Sequence, residues 1–267
     1  MTNNQTNKKY AVVTGASKGL GKEFALELAR RKINLLLVSL PNEGLSKVAE
    51  EVRDHGIDAA IYETDLSKTC NIESFTNWVN SNFEIYVLIN NAGFGGNNHF
   101  LDADSSYLNK IIQINIKATT LLTRQLMPNL IKQNDSYVLN VSSLAAYSPI
   151  AYKTVYPATK AFVHHFTRAM QEEFKHRNIS FSIVNPGPMK TNGHVSERIE
   201  QQGFWVNIMV LHAKEVAKIT IRGMFKKKKV IMLNWLHRLG WFLLQVLPVQ
   251  VKMGILSSLT KNEVRDL

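Results

Sequence analysis

Short apolar runs alternate along the chain with longer segments of helical periodicity. Tyr10–Thr14, Asn34–Ser39, Ala59–Glu63, Tyr86–Asn90, Ser136–Val141 and Ser180–Val184 read as strands. The run NLLLVS at 34–39 is apolar almost throughout, as expected of a parallel strand covered on both faces. Between the strands, Gly19–Arg31, Asn42–His55, Asn71–Asn82, Asp104–Lys132 and Tyr152–His176 read as helices. Repeated βα units predict an α/β fold, a doubly wound parallel sheet of about seven strands with helices on both faces. After Pro186 the pattern changes. Pro186–Gly203 has the composition of a loop, a helix is predicted at Ala213–Met224 and a last strand within Lys228–Leu233. The strongly apolar Leu236–Leu247 stops at Pro248, short of the roughly 20 apolar residues that span a membrane.

The length of 267 residues suits one domain over 9–267, behind a polar, disordered lead at 1–8 that lacks a signal peptide's apolar run. Within it, 192–210 reads as a substrate loop or lid, and 226–267 as a basic, apolar C-terminal extension. Cys70 is the only cysteine, so no disulfide closes within the chain and a reducing, cytoplasmic setting is expected. The net charge is +11. From Gly203 onward eleven lysines and arginines stand against Glu215, Glu263 and Asp266, so the last quarter carries most of the excess. Such a field attracts nucleic acid, anionic lipid or an anionic substrate. No nucleic-acid motif accompanies it, and nucleic acid is not expected as a partner. Lys226 to Lys229 precede an aromatic-rich apolar stretch, which reads first as a subunit interface or flap. Peripheral membrane contact through 226–256 is the second reading.

The stretch Thr14-Gly15-Ala16-Ser17-Lys18-Gly19-Leu20-Gly21 joins the first strand to the first helix. Glycines there permit tight backbone angles, close approach of a pyrophosphate, and access to amide N–H groups at a positive helix end. Its spacing, T-G-x-x-x-G-x-G, differs from the common G-x-G-x-x-G of Rossmann folds. It resembles the short-chain dehydrogenase/reductase family, over roughly residues 9 to 191 by ordered motifs, near its ketoacyl reductase and hydroxysteroid dehydrogenase branch. The fold is then expected to be Rossmann-type. No carboxylate occupies Val38–Asn42, where NAD-preferring proteins bind the ribose 2′-OH. Lys18 and Ser39 suit a 2′-phosphate instead, so NADP(H) is expected ahead of NAD(H). Leu40 stands where NADP-using relatives often carry Arg. The resemblance implies adenine contacts at Asp65 and Leu66, although Asp65 also reads as a helix cap. It also implies cofactor contacts at Asn91, Ala92 and Gly93, which follow Asn90 in an Asn-Asn-Ala-Gly run.

Tyr156 and Lys160 are four residues apart, on one face of a helix. A phenol titrates near 10, and a neighbouring ammonium favours phenolate, so the pair reads as a tuned general acid/base with a lowered Tyr pKa. By resemblance Ser143, thirteen residues before Tyr156, is preferred to Ser142 as the hydroxyl that orients the substrate oxygen. Asn115 corresponds to a helical Asn that supports a proton relay to the lysine. Lys160 also holds the nicotinamide ribose, and Pro186, Gly187 and Thr191 meet the nicotinamide side. Pro157, directly after Tyr156, is harmless only if the helix begins near Thr154 or Val155.

The implied enzyme is an NAD(P)-dependent oxidoreductase of a carbonyl or alcohol, metal-free and assembled as a homodimer or homotetramer. Residues 94–100, 145–152 and 192–209 would line its pocket, with Phe94, Leu144, Phe204, Trp205, Ile208 and Met209 leaning it towards hydrophobic substrates. A non-catalytic nucleotide-binding regulator and a membrane-surface lipid-carbonyl reductase are the rival readings.

Overall fold

The computed structural model describes residues 8–187, 189–190 and 211–265. Six βα units run through β1 (Lys9–Thr14), α1 (Gly19–Arg30), β2 (Asn34–Ser39), α2 (Leu45–Arg53), β3 (Ala59–Glu63) and α3 (Thr69–Asn82). They continue through β4 (Glu84–Asn90), α4 (Ser105–Ile112), a π-helical turn at Gln113–Ala118, α5 (Thr119–Leu130) and β5 (Ser136–Val141). A 3₁₀ turn at Leu144–Tyr147 leads to α6 (Val155–Glu173) and β6 (Ile179–Val184). The C-terminal part adds β7 (Met189–Lys190), β8 (Leu211–His212), α7 (Ala213–Phe225), β9 (Val230–Ile231), α8 (Trp235–Val246) and α9 (Val249–Arg265).

Seven strands form one parallel sheet in the order β3-β2-β1-β4-β5-β6-β9. The apolar strands follow from this. Ala11, Val13, Leu35 and Leu37 face a core shared with α1, α2 and α7, while Val12, Leu36 and Val38 face a second core under α3 and α5. From β1 the chain winds outward through β2 to β3, then crosses back to β4 on the other side of β1. That switch point opens a crevice at the carboxyl ends of the strands.

Several boundaries differ from the sequence reading, for local reasons. The second helix starts at Leu45 because Asn42 (φ 61°) and Gly44 (φ 76°) are left-handed. The helix carrying Tyr156 starts at Val155 because Tyr152 (φ 65°) cannot lie within it, so Pro157 falls in the first turn, where it removes no helical bond. The expected helix over 104–132 runs on from Ser105 to Leu130 but carries a π-helical turn around Asn115. The helix after Pro248 was not legible, because its apolar residues follow no strong 3.6-residue period.

The basic cluster and the apolar helix are not neighbours. Lys227 pairs with Asp135 at 2.7 Å, just before β5, so the lysines sit at the amino edge of the sheet. Helix α8 follows β9 and lies at the carboxyl edge. The lysines and the apolar helix thus lie at opposite edges of the sheet rather than side by side.

Candidate active site

The Gly-rich turn is built for a close approach. Gly15 (φ 65°) and Gly19 (φ 56°) occupy the left-handed region, and a Cβ at Gly21 would overlap the Gly15 carbonyl. Thr14 and Asn91 tie the turn to β4 across the switch point. Thr14 Oγ1 accepts from the Asn91 and Ala92 amides at 3.0 Å each, and Asn91 Nδ2 donates to the Thr14 and Gly15 carbonyls at 2.9 and 3.2 Å. Helix α1 has no side-chain cap and no acid in its first turn. Its leading amides are thus left for an anion, which fits a dinucleotide pyrophosphate.

The flanking residues divide. Ser17, Lys18 and Gly19 line the rim, whereas the Leu20 and Leu66 side chains are buried in the two cores, so only their backbones can meet a cofactor. Lys18 is exposed and paired with Glu43. Glu43 lies just past the stretch inspected for a carboxylate, and the sequence reading missed it. Ser39 is buried and donates to the Leu40 carbonyl at 3.0 Å. Asp65 accepts from the Ser67 amide at 2.9 Å, a turn ahead of α3 and not its N-cap. Burial pushes its carboxyl up, but bonds from Ser67 and the charges of Lys110 and Lys68 leave it below the ordinary carboxylate range. Thr191 and the 192–210 loop, with Phe204, Trp205, Ile208 and Met209, lie outside the described residues.

Ser143, Tyr156 and Lys160 converge beside this turn. The Ser143 hydroxyl lies beside the Tyr156 phenol, near enough to act on its titration, and accepts from the Ala145 amide at 3.2 Å. Ser142 is committed elsewhere, donating to the Lys160 carbonyl at 2.7 Å. Lys160 is buried, with Nζ 3.0 Å from the Val141 carbonyl and 5.8 Å from the Tyr156 ring centroid. A Cβ at Gly93 would stand 3.3 Å from Nζ and 3.4 Å from Asn115 Oδ1, so the loop after β4 passes directly over the lysine. Asn115 clamps that loop: Oδ1 accepts from the Phe94 amide, and Nδ2 donates to the Phe94 carbonyl and Thr159 Oγ1, all at 2.9 Å. Both amide hydrogens are spent, so its side-chain N–H has no proton to offer a relay.

The expected lowering of the Tyr156 pKa is reversed in this state. Burial raises the phenol above its usual value, with the Ser143 hydroxyl opposing, and burial lowers Lys160 to about 8. The ammonium that was to acidify the phenol is weakened by the same desolvation.

A pH-dependent stability difference follows. Lys160 titrates near 8 when folded and near 10.5 when unfolded, so between those values the unfolded chain holds more protons and stability rises with pH. Lys160→Met is expected to be more stable than the wild type at pH 7 by roughly 2–3 kcal/mol once the lost Val141 bond is counted. The gap should close as the pH climbs from 8 to 10.5. Urea midpoints of both proteins at pH 7 and pH 10 check this; a gap that does not change with pH refutes it.

A cleft of about 590 Å³, lined in part by Lys9, Glu84, Asn129 and Lys132, opens at the amino edge of the sheet, far from this chemistry. Among the described residues no cluster of His, Cys, Asp or Glu is arranged to hold a metal.

Comparison with known proteins agrees with this architecture. A family model described as short chain dehydrogenase matches residues 9–202. The chain belongs to that family. It is 34% identical over 182 residues to a very-long-chain 3-oxoacyl-CoA reductase of Anas platyrhynchos, covering 66% of this chain and 58% of that protein. It is 32% identical over 187 residues to human 17-beta-hydroxysteroid dehydrogenase type 3, covering 68% and 60%. The chain thus spans about three-fifths of the length of these curated relatives. A short-chain dehydrogenase from Sphingobium yanoikuyae, solved in complex with NADPH, shares the fold at TM-score 0.77 and 24% identity, covering 94% of this chain and 95% of that one.

Proposed function

We propose that the protein is an NADP(H)-dependent oxidoreductase that interconverts a hydrophobic ketone or aldehyde and its alcohol. One observation carries this reading: Ser143, Tyr156 and Lys160 meet at the carboxyl edge of the sheet, beside a glycine turn with uncapped helix amides. The names of the relatives, a 3-oxoacyl-CoA reductase and a hydroxysteroid dehydrogenase, support a hydrophobic carbonyl substrate. The retained Ser, Tyr and Lys disfavour a non-catalytic regulator.

When bound, the nicotinamide cofactor supplies the hydride. The chain does the rest. Ser143 Oγ orients the substrate oxygen, and Tyr156, kept protonated by burial, delivers a proton to it in the reductive direction. Lys160 holds the ribose and places positive charge beside the phenol. Asn115 keeps the Gly93–Phe94 loop over Lys160. Gly15, Ser17, Gly19, Gly21 and the backbone of Leu20 cradle the pyrophosphate, with Asn91, Ala92 and Gly93 beside the ribose and Asp65 and Leu66 near the adenine. Pro186 and Gly187 would flank the nicotinamide, a side to which the family resemblance also assigns Thr191. Lys18 and Ser39 would meet the 2′-phosphate, for which Lys18 must be released from Glu43 or shared with it and Ser39 must turn from the Leu40 carbonyl.

An NADPH-oxidation screen across carbonyl classes, with NADH in parallel, tests the reading. Turnover with NADPH is expected, and its absence with every class would overturn it. Lys18→Gln should weaken NADPH by about tenfold and leave NADH nearly unchanged, read by fluorescence titration.

The described helices include none long and apolar enough to cross a membrane. Trp235, Leu239, Phe242, Leu243 and Val246 form an exposed stripe on α8. We take it as a surface for self-association, in a cytoplasmic homodimer or homotetramer, with peripheral membrane contact as the second reading. Sedimentation with and without anionic vesicles separates the two.

A further inference from the structure

His237, in the first turn of α8, is 2% exposed. Its backbone N–H and its ring Nδ1 lie 2.8 and 3.0 Å from Asn234 Oδ1. The backbone group can only donate, which identifies Oδ1 as an acceptor, and that acceptor places the ring proton on Nδ1. Nε2 is then a bare acceptor, and the Gly187 N–H donates to it at 3.3 Å. A Cβ at Gly187 would come within 3.0 Å of Nε2, so the glycine permits the approach.

The Gly187 N–H belongs to the same rigid plane as the Pro186 carbonyl. That carbonyl accepts from the Leu144 amide at 3.0 Å and lies 3.5 Å from Ser143 Oγ. One end of the plane therefore touches the imidazole and the other borders the hydroxyl.

We infer that His237 is a positioning residue: it fixes the rotation of the Pro186–Gly187 peptide plane, and thereby the carbonyl against which Ser143 is set. The inference rests on Ser143 orienting the substrate oxygen. It makes α8 part of the active-site scaffold. Helix α8 has further anchors: Trp241 stands edge-on to Tyr147, with centroids 6.4 Å apart. Lys252 of α9 bonds both the Tyr147 and Leu244 carbonyls at 2.9 Å. Removing the imidazole should therefore loosen the plane without releasing the helix.

The test compares His237→Leu, which fills space without an acceptor, with His237→Gln, whose side-chain oxygen restores one. In the full-length chain, His237→Leu should lower kcat by about tenfold while the NADPH Kd stays within about twofold. His237→Gln should recover most of the loss, at a melting temperature like that of the wild type. A merely structural histidine would lower stability in both variants and spare kcat in the folded fraction. Wild-type kcat in His237→Leu overturns the inference, and so does a Gln variant as slow as Leu at unchanged melting temperature. If the Leu variant does not fold, the Gln variant decides alone: near-wild-type kcat supports the inference, and a tenfold loss in folded protein overturns it. A wild-type protein with no NADPH-dependent turnover would instead sink the proposed function.

Discussion

Tyr156→Phe is expected to lower kcat by about 10²–10⁴-fold and to leave the NADPH Kd within about twofold. The substitution keeps the ring and removes only the hydroxyl beside Ser143. The glycine turn, the Thr14–Asn91 brace and the free amides of α1 are untouched, so nucleotide binding should survive. The direction of the Tyr156 shift adds a second readout. Burial keeps the phenol protonated beyond its usual range, which suits proton donation during reduction near neutral pH. Alcohol oxidation needs the phenolate, so the wild-type oxidation rate should rise with pH through the alkaline range. Carbonyl reduction should fall over that range. Steady-state rates in both directions, with a fluorescence titration of NADPH, measure all of this. A Phe variant with wild-type turnover would remove Tyr156 from the chemistry.

What was legible in the sequence was local. A glycine turn after an apolar run, and a Tyr and Lys one helical turn apart, need only a few residues of context. The sheet followed from the same periodicity, because strands buried on both faces cannot alternate. What was missed depends on residues brought together from a distance. Glu43 meets Lys18 only because β1 and β2 are neighbours. His237 meets Gly187 from fifty residues away. The direction of the Tyr156 shift was also out of reach. A Tyr–Lys spacing reports one interaction, whereas desolvation depends on everything packed around the pair, and here desolvation outweighs the charge. Asn115 was picked out by resemblance, but its partner, the Phe94 backbone, belongs to a loop whose path no periodicity marks.

That loop gives the second large effect. Gly95→Ala is expected to cut kcat by about 10–100-fold at a stability cost of roughly 1–3 kcal/mol. A Cβ at Gly95 would collide with the Tyr156 ring, reaching Cε2 at 2.9 Å and Cγ at 3.0 Å. Gly95 is not held by a left-handed backbone angle, so the conflict is one of space. Neither side can yield freely. The loop is clamped one residue earlier, where Asn115 takes both the amide and the carbonyl of Phe94. The ring is the softer partner, and if it turns away the phenol leaves Ser143. Chemistry should then suffer far more than nucleotide affinity, which depends on the other side of the crevice. Gly254→Ala is the matched control: it sits in α9 with open space around the added carbon and should leave kcat unchanged. Wild-type kcat in Gly95→Ala, with melting temperature and NADPH Kd measured on the same preparation, would mean that the ring and the loop are not coupled and that Tyr156 reaches its working position by another route.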